Sequence, residues 1–513
     1  VRRHNDHAAG QPLADLLRKE SLAGRRALVL GLGRFGGGAG AVRFLAQRGA
    51  RVVVADRADE SALAPSLEAL RDLLDAGAVE LRLGPHDERD VDGADLVVAT
   101  PAIPRPWDNP LLRRARSGGA VVTTEIALLL ALLPCREKLV AVTGTAGKST
   151  TSLLLAWALA RAAGARGPLR AGASGGVEPW PCAAAASTQG ARSGVFLGGN
   201  IGASLLPIVE RIGPEDWVVL ELSSAQLRWI SERSDLRAFP PRVAVATNLA
   251  PNHLDWHSGF DDYARAKAVV ARSQGAGDVL LVGPGVLQTP AFAKAIASRQ
   301  GALVVVDELA PAGSIALPGE HNRRNAALAL RAVEAALGRA RGALGPSLLE
   351  DCPGLPHRLE RLPDVVLAGG GRLRVVNDSK ATTPQAVALA LEAVSAWGGG
   401  VHLLCGGYDK GVDLTPLAKA AASRAVRVHA FGATGPAIAR LVEQAGGEAV
   451  VSSGLEEAVG GALAQAQAGQ ALLLSPGCAS WDQFRDYTER GARFAELVAA
   501  WAGHATQKSS EQT

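Results

Sequence analysis

The sequence predicts an α/β protein of three domains, each a largely parallel sheet flanked by helices. Three observations carry that expectation. The chain has 513 residues, which at roughly 150 residues per domain is about three domains. Short apolar runs recur that are too brief for helices and end in glycines or polar residues, with helical stretches between them. Two of these runs lead straight into glycine-rich turns and then a helix, the order that crossover connections give to a parallel sheet.

The elements follow in order. Residues 1 to about 20 are polar and expected to be loosely ordered. Arg26–Leu30 reads as a strand ending in the turn Gly31-Leu-Gly33-Arg-Phe-Gly36, followed by a helix through Gln47. Arg51–Ala55 and Asp95–Ala99 are further strands, and this first domain closes at residue 134. The second, residues 135–353, opens with the strand Lys138–Thr143 and contains the strands Trp217–Glu221 and Val243–Thr247. Between them, Ala165 to Ser193 is dense in Ala, Gly, Ser and Pro and is expected to be an extended surface loop or a partly disordered insertion. A helix from His321 to Leu337 ends this domain, and Gly342 to Pro353 reads as a linker. The third domain, residues 354–513, has strands at Leu373–Asn377, Val401–Cys405, Val426–Phe431 and Gln470–Ser475, with a polar tail after Gly503 expected to fray.

Composition excludes several classes of function. Lys plus Arg is 54 against 50 Asp plus Glu, a net charge of +4 without blocks of like charge. Nucleic-acid binding is therefore not expected. The longest apolar run, Ile126 to Leu133, is far short of the roughly 18 residues that span a bilayer. It reads as a core helix. Val1 to Asp6 lead into no apolar stretch, so no signal peptide is expected. Five cysteines, scattered and never in a CxxC pair, argue against a disulfide framework or zinc site and for a reducing, cytoplasmic setting.

The strongest chemical signal is Gly144-Thr145-Ala-Gly147-Lys148-Ser149-Thr150, between a strand and a helix. Backbone amides of such a turn face an anion, and the helix N-terminus adds positive partial charge. Lys148 then reaches β/γ-phosphates, and the Ser149 or Thr150 hydroxyl can ligate Mg²⁺. The loop is shorter than the GxxxxGK[ST] form, but ATP or GTP binding is its plain meaning. Gly31-x-Gly33-x-x-Gly36, with Asp56 about 20 residues on, matches a dinucleotide fingerprint and makes the first domain Rossmann-like. NAD or another nucleotide diphosphate could sit there. A glycine turn serving only packing is the plain alternative.

Glu221 ends a strand, where sheet ligands bind, and is well placed for Mg²⁺. Asn248, His253 and Asp255 follow the next strand. A lone histidine is more often structural, but beside a phosphate loop metal or phosphate contact is the better reading. Lys267 would by default be a solvated helical lysine. In the third domain, the clusters around Arg358, Asn377 to Thr382, Asp409-Lys410 and Ser475 to Ser480 mostly fall at strand ends. Their cationic residues suggest an anionic partner, although Asn-Asp-Ser and Gly-Gly are also ordinary turn chemistry.

Taken in order, these motifs resemble the Mur ligases. The matching text is Gly144 to Thr150, Gly198-Gly-Asn-Ile-Gly202, Glu221-Leu-Ser-Ser-Ala-Gln226, Asn252-His-Leu-Asp-Trp-His257, His321-Asn-Arg-Arg-Asn325, Gly354 to Arg358, Asn377-Asp-Ser-Lys-Ala-Thr382, Gly407-Tyr-Asp-Lys-Gly411 and Ser475 to Phe484. It spans residues 20 to 500 or so, and the Asp-Ser-Lys-Ala-Thr and Cys-Ala-Ser-x-Asp-Gln-Phe stretches are those of the D-glutamate-adding branch. The resemblance implies a Rossmann-like first domain for a UDP-linked substrate, a P-loop ATPase-like central domain, and a Rossmann-like last domain for the amino acid. It implies ATP and Mg²⁺, an acyl-phosphate intermediate, the substrates UDP-N-acetylmuramoyl-L-alanine and D-glutamate, and a monomer at work in peptidoglycan precursor synthesis, and hence in cell-wall biogenesis and division.

Residue roles follow from the same resemblance. Lys148 would hold the ATP phosphates, with Gly144, Thr145, Gly147, Ser149 and Thr150 around them. Ser149 and Glu221 would bind one Mg²⁺; His253 and a carbamylated Lys267 would approach a second. Asn325 and Asp378 would meet the nucleoside of ATP and Arg358 its phosphates. Lys380, Thr382, Lys410, Ser480 and Tyr487 would receive D-glutamate, Asn200 the muramoyl-alanine substrate, and Gly31, Gly33 and Asp56 the uridine diphosphate. Ala146, Ala225, Tyr487 and Thr100-Pro-Ala-Ile103 depart from the usual pattern. Folylpolyglutamate synthetase, an NAD-dependent Rossmann protein and a non-catalytic P-loop module are the alternatives, and each leaves some of these clusters unexplained.

Overall fold

The computed structural model describes residues 13–17, 22–34, 36–172, 176–180, 192–233, 235–236, 239–313, 315–367 and 369–510. Its described residues pack as two compact units, drawn from 1–308 with 324–349 and from 309–323 with 350–513.

The first unit holds two sheets. One is β1 (Arg26–Leu30), β2 (Arg51–Asp56), β3 (Val79–Leu83), β4 (Leu96–Ala99) and β5 (Val121–Thr123), all parallel in the order β3-β2-β1-β4-β5. The order reverses between β1 and β4, and a ligand crevice forms at such a switch point. The other sheet is β6 (Leu139–Thr143), β7 (Arg166–Ala171), β8 (Val177–Pro179), β9 (Gly194–Gly199), β10 (Trp217–Glu221), β11 (Val243–Ala246), β12 (Val279–Val282) and β13 (Ala302–Val305). Its order is β13-β12-β11-β6-β10-β9-β7-β8, parallel except for β8 on β7. Register sets Glu221 beside both Val142 and Gly199, and Ala246 beside Thr143, so the carboxyl ends of four strands open at one level. β6, β10 and β11 are buried throughout, which is why they read as unbroken apolar runs rather than alternating ones.

The helix Glu125–Leu132 is apolar all round and buried along nearly its whole length. Its leucines belong to one core that also takes in side chains of both sheets. A helix without a polar face must be covered on every side. The expected boundary at residue 134 therefore lies beside a shared core, and the two sheets pack as one unit.

The second unit is built on β14 (Glu360–Val366), β15 (Arg372–Asn377), β16 (Val401–Gly406), β17 (Ala425–Phe431), β18 (Ala449–Ser452) and β19 (Ala471–Leu474), in the order β14-β15-β19-β16-β17-β18. Only the edge pair β14·β15 is antiparallel. β19 lies between β15 and β16, which brings the loops after all three strands side by side.

Three expectations are corrected. Within the N-terminal stretch expected to be loosely ordered, Leu13–Leu16 form a helical turn, and Leu13, Leu16 and Leu17 are buried in the core of the first unit; residues 1–12 and 18–21 lie outside the described residues. The stretch after Ala165 is not all loop: β7 and β8 form an antiparallel pair within it, with Leu169, Ala171 and Trp180 buried. Proline and glycine had argued against strands there, but Pro168 sits where the β7·β9 register shifts, the kind of irregularity that tolerates proline. Residues 173–175 and 181–191 of the stretch lie outside the described residues. The tail after Gly503 continues the helix Tyr487–Ser510 rather than fraying from its first polar residue. Among the described residues no helix is long and apolar enough to cross a membrane.

Candidate active site

The turn after β6 is held open for an anion by its glycines. Gly144 has φ 144° and Gly147 φ 78°, backbone conformations that favour glycine. Gly147 caps the helix Lys148–Ala163. A Cβ on Gly144 would meet Thr247 Oγ1 at 1.9 Å, and one on Gly147 would meet Asn325 Oδ1 at 2.5 Å. Asn325 therefore lies directly against the phosphate loop. The loop after β11 braces it: Ala146 N–H donates to Asn248 Oδ1 (3.0 Å), Asn248 Nδ2 donates back to the Ala146 carbonyl (3.0 Å), and Thr145 N–H donates to the Asn248 carbonyl (2.9 Å). A backbone clamped at both faces is fixed before any ligand arrives. The Lys148 ammonium lies over the loop, donating to the Thr145 carbonyl at 3.0 Å.

Glu221, at the end of β10, is 1 % exposed. Asn200 Nδ2 donates to its Oε1 at 2.7 Å, while Oε2 is buried and has no hydrogen-bond partner among the described residues. A buried carboxylate oxygen left unpaired is costly unless a cation completes it. Ser149, also buried, stands at the start of the helix from the phosphate loop. Among the described residues no group of three His, Cys, Asp or Glu is close enough to hold a metal alone. One carboxylate and one hydroxyl suit Mg²⁺, which keeps waters and shares substrate phosphates, and do not suit Zn²⁺. The residues fit the ion the sequence implied.

Lys267 is 2 % exposed, on the helix Phe260–Ala268. Its Nζ lies 3.4 Å from Thr143 Oγ1 and 4.7 Å from the centre of the Tyr263 ring. No ion-pair partner reaches it among the described residues. Burial, with the charge of Lys148 nearby, holds its ammonium well below the usual lysine range, despite the opposing pull of Glu221. It is no solvated helical lysine. His253 has φ 52°, a left-handed backbone that is uncommon outside glycine. Burial, reinforced by Lys148 and Lys267, lowers its pKa against the pull of Asp255.

Sequence reasoning missed the groups behind these. His257 Nε2 meets Ser224 Oγ at 3.0 Å and its Nδ1 meets Asp262 Oδ2 at 3.2 Å. The Tyr263 hydroxyl shares a hydrogen bond with Thr145 Oγ1 at 2.9 Å. His257 stood in the Asn252 to His257 motif, but nothing in its spacing separates a buried, bonded histidine from a ligand.

At the first sheet, Gly31, Gly33 and Gly36 all have positive φ. Asp56 accepts from Gly33 N–H (Oδ2, 3.0 Å) and Ala58 N–H (Oδ1, 2.9 Å), so its carboxylate shapes the glycine turn. An open cavity of about 450 Å³ lies beside it, lined by Arg57, Asp59, Glu60, Leu81, Leu83 and Gly84.

The second unit carries the remaining residues. The loops after β16 and β19 are joined by the bridge Tyr408↔Ala479, and a Cβ on Gly407 would meet the Ala479 carbonyl at 2.2 Å. Lys410 Nζ lies 5.0 Å from the exposed Trp481 ring, and Lys380 Nζ 3.5 Å from that of Tyr487. Ser480 is buried, and Thr382 is half-buried in the loop after β15. Asp378 is buried with both oxygens engaged, by Leu359 N–H (3.1 Å) and Ser475 Oγ (3.0 Å). Burial pushes its carboxyl up to about 7, ahead of the opposing hydrogen bonds and Arg358. Beneath the cluster, Arg490 is fully buried and donates to Ser379 Oγ and to the Ser379 and Cys478 carbonyls at 2.9–3.2 Å. Burial lowers its pKa to about 10. No motif pointed to it.

The chain matches three family models in succession: the Mur ligase MurD-like N-terminal domain over residues 25–124, the Mur ligase middle domain over 142–289 and the Mur ligase glutamate ligase domain over 357–478. The chain belongs to the Mur ligase family. This Mur ligase is 34% identical over 502 residues to the UDP-N-acetylmuramoylalanine--D-glutamate ligase of Geobacter metallireducens, covering 93% of this chain and 98% of that one. It is 35% identical over 516 residues to the enzyme of that name from Anaeromyxobacter dehalogenans, covering 94% and 99%. Among solved structures, the UDP-N-acetylmuramate-alanine ligase MurC of Thermotoga maritima shares its fold, with a TM-score of 0.57 at 18% identity over 93% of this chain and 99% of that one. MurF of Acinetobacter baumannii gives 0.50 at 18% over 81% and 93%.

Proposed function

We propose that this Mur ligase joins D-glutamate to UDP-N-acetylmuramoyl-L-alanine, splitting ATP to ADP and phosphate, in the cytoplasmic assembly of peptidoglycan precursors. The observation that carries the reading is the identity of about a third to D-glutamate ligases, along nearly the full length of both chains. It is an ADP-forming carbon–nitrogen ligase, of class EC 6.3.2.9.

A carboxylate is a poor electrophile. Transfer of the γ-phosphoryl group to it makes an acyl phosphate with a good leaving group, and the D-glutamate amine displaces phosphate through a tetrahedral intermediate. The protein's share is positioning and charge neutralisation. With the Thr145 and Ala146 amides engaged by Asn248, the amides at Gly147 and the start of the following helix face the ATP phosphates, Lys148 pairs with them, and Asn325 packs against the turn. Glu221 and Ser149 would hold Mg²⁺, which when bound neutralises phosphate charge. Asn200 fixes the Glu221 carboxylate and faces the UDP-linked substrate. The Gly31-Gly33 turn, shaped by Asp56, takes the diphosphate, with uridine in the cavity beside Arg57. Lys410 and Lys380 pair with the carboxylates of D-glutamate, between Thr382, Ser480 and Tyr487. Arg358 and Asp378 serve the nucleotide, Asp378 through the backbone it orders.

Lys267 is carbamylated in this reading. Its neutral amine adds to CO₂, an N–C bond forming as one C=O π bond opens and a proton is lost, and the resulting anion would join His253 in holding a second Mg²⁺. Burial with no ion pair among the described residues supports it, because such a lysine keeps its amine neutral and nucleophilic.

The test is phosphate release with Mg²⁺-ATP and UDP-N-acetylmuramoyl-L-alanine, with D-glutamate, L-glutamate or L-lysine in parallel. Release and a new UDP-dipeptide with D-glutamate alone are expected. Silence with all three, from folded protein that binds ATP, would overturn the assignment.

A further inference from the structure

An aromatic chain runs through the first unit from the loop after β4 to the phosphate loop. Thr100 begins that loop and lies over the glycine turn of the first sheet: a Cβ on Gly31 would meet Thr100 Cγ2 at 2.4 Å. Seven residues on, the half-buried Trp107 lies between two groups of the second sheet. The Arg228 guanidinium sits 4.4 Å from the centre of its ring, and Trp256 packs against it edge-on at 6.3 Å. Arg228 belongs to the helix Ser224–Ile230, which follows Glu221 directly, and is itself held by Glu232 at 3.0 Å.

Trp256 is 8 % exposed and closes the turn that begins at His253, whose carbonyl accepts from the N–H groups of Trp256 (3.1 Å) and His257 (3.0 Å). The chain continues from Trp256 to His257 at 4.5 Å and on to Tyr263 at 5.3 Å. Tyr263 ends it, with its hydroxyl on Thr145 and its ring under Lys267. A left-handed backbone at His253 persists only where its surroundings over-determine it. Trp256 closes that turn through its N–H on the His253 carbonyl, Trp107 packs against Trp256 from outside, and Arg228 lies over Trp107.

Resting on the ligase reading above, we propose that Trp107 is a positioning residue for the ATP-side chemistry: by seating Trp256, it fixes the His253 turn and links the glycine turn of the first sheet to the phosphate loop. It touches none of the reacting atoms. A substrate phosphate at Gly31 would press on Thr100, and the loop would carry that contact to the far site.

The experiment compares the full chain with Trp107→Ala and Trp107→Phe, using kcat and the KM for each substrate, with thermal midpoints as a folding control. Trp107→Ala lowers kcat about tenfold while the KM for the UDP-linked substrate changes by less than about threefold. Trp107→Phe, which keeps a ring against Trp256, recovers most of the loss. Unchanged kcat in the Ala variant overturns the proposal. So does a loss that Phe fails to rescue, or an effect confined to that KM, which would make Trp107 a substrate contact. If the unaltered chain does not use D-glutamate, the functional reading fails on its own. Binding of a non-hydrolysable Mg²⁺-ATP analogue then decides: Trp107→Ala weakens it, and undiminished affinity rejects the positioning role.

Discussion

Replacing Gly147 by alanine tests whether the turn after β6 is a preorganised phosphate cradle. Its φ of 78° lies in the left-handed region, which costs an L-residue roughly 1–2 kcal/mol. Reduced freedom of the unfolded chain returns about 0.4–1 kcal/mol. The new methyl must also push against Asn325, 2.5 Å from its Oδ1 and 3.2 Å from its Cγ. The net expectation is a destabilisation of about 1–2 kcal/mol, or a melting midpoint lower by a few degrees. The larger effect falls on binding. Gly147 precedes the helix whose first residues are Lys148 and Ser149, so relief of the clash turns their amides and side chains away from the phosphates. A loss of about 1.4 kcal/mol is tenfold in affinity. Titration with a non-hydrolysable Mg²⁺-ATP analogue, alongside thermal unfolding, measures both. An alanine variant that binds as well as the parent would show that neither the backbone conformation nor the Asn325 contact is needed for nucleotide, and the cradle would have to be placed elsewhere.

Other substitutions separate stability from chemistry. Lys267→Met keeps the buried volume and removes an amine that has no ion pair among the described residues, so the midpoint should hold or rise while ligation is abolished; retained activity would end the carbamate reading. Activity of the unaltered protein should fall in CO₂-depleted buffer and return with bicarbonate. Glu221→Gln keeps an acceptor for Asn200 but loses the anionic oxygen, and phosphate release should drop by about two orders of magnitude with little change in folding. In the second unit, His402 Nδ1 and His429 Nε2 meet at 3.3 Å, both rings buried. Burial, with His402 and Arg427 adding to it, lowers His429 to about 4. At this site the unfolded chain therefore binds more protons than the folded one between pH 4 and roughly 6.5, and the contribution of His429 to stability falls as pH drops through that window, against the opposite contribution of the buried Asp378 carboxyl. Urea midpoints at pH 7.5 and 5 should differ more in the parent than in His429→Phe, and equal differences would discount the pair.

Which parts of this were legible depended on the range of the interaction. β1, β6, β10 and β11 were readable because a central parallel strand is apolar along its whole length. β3, β5 and β18 were not: they are short or half-exposed, and their burial comes from neighbours distant in sequence. β7 was hidden by the proline and glycine that mark its irregularity. The phosphate loop and Glu221 announced themselves because their chemistry needs a fixed local order of residues. Lys267 did not, since its helix has an ordinary charge pattern and its burial is set by Thr143 and Tyr263.

The sequence alone determined the α/β class, the anion-binding turns, the carboxylate at the end of β10 and the family of the chain, all matters of residue order over a few positions. The tertiary structure decided the rest. It paired Glu221 with Asn200 and, among the described residues, left its other oxygen without a hydrogen bond and Lys267 without an ion pair; it turned Asp56 inward to its own glycine turn, and threaded Trp107 into the aromatic chain behind His253. Each depends on how far a group is removed from water and on what the fold sets against it, and those quantities exist only once segments far apart in the chain have packed together.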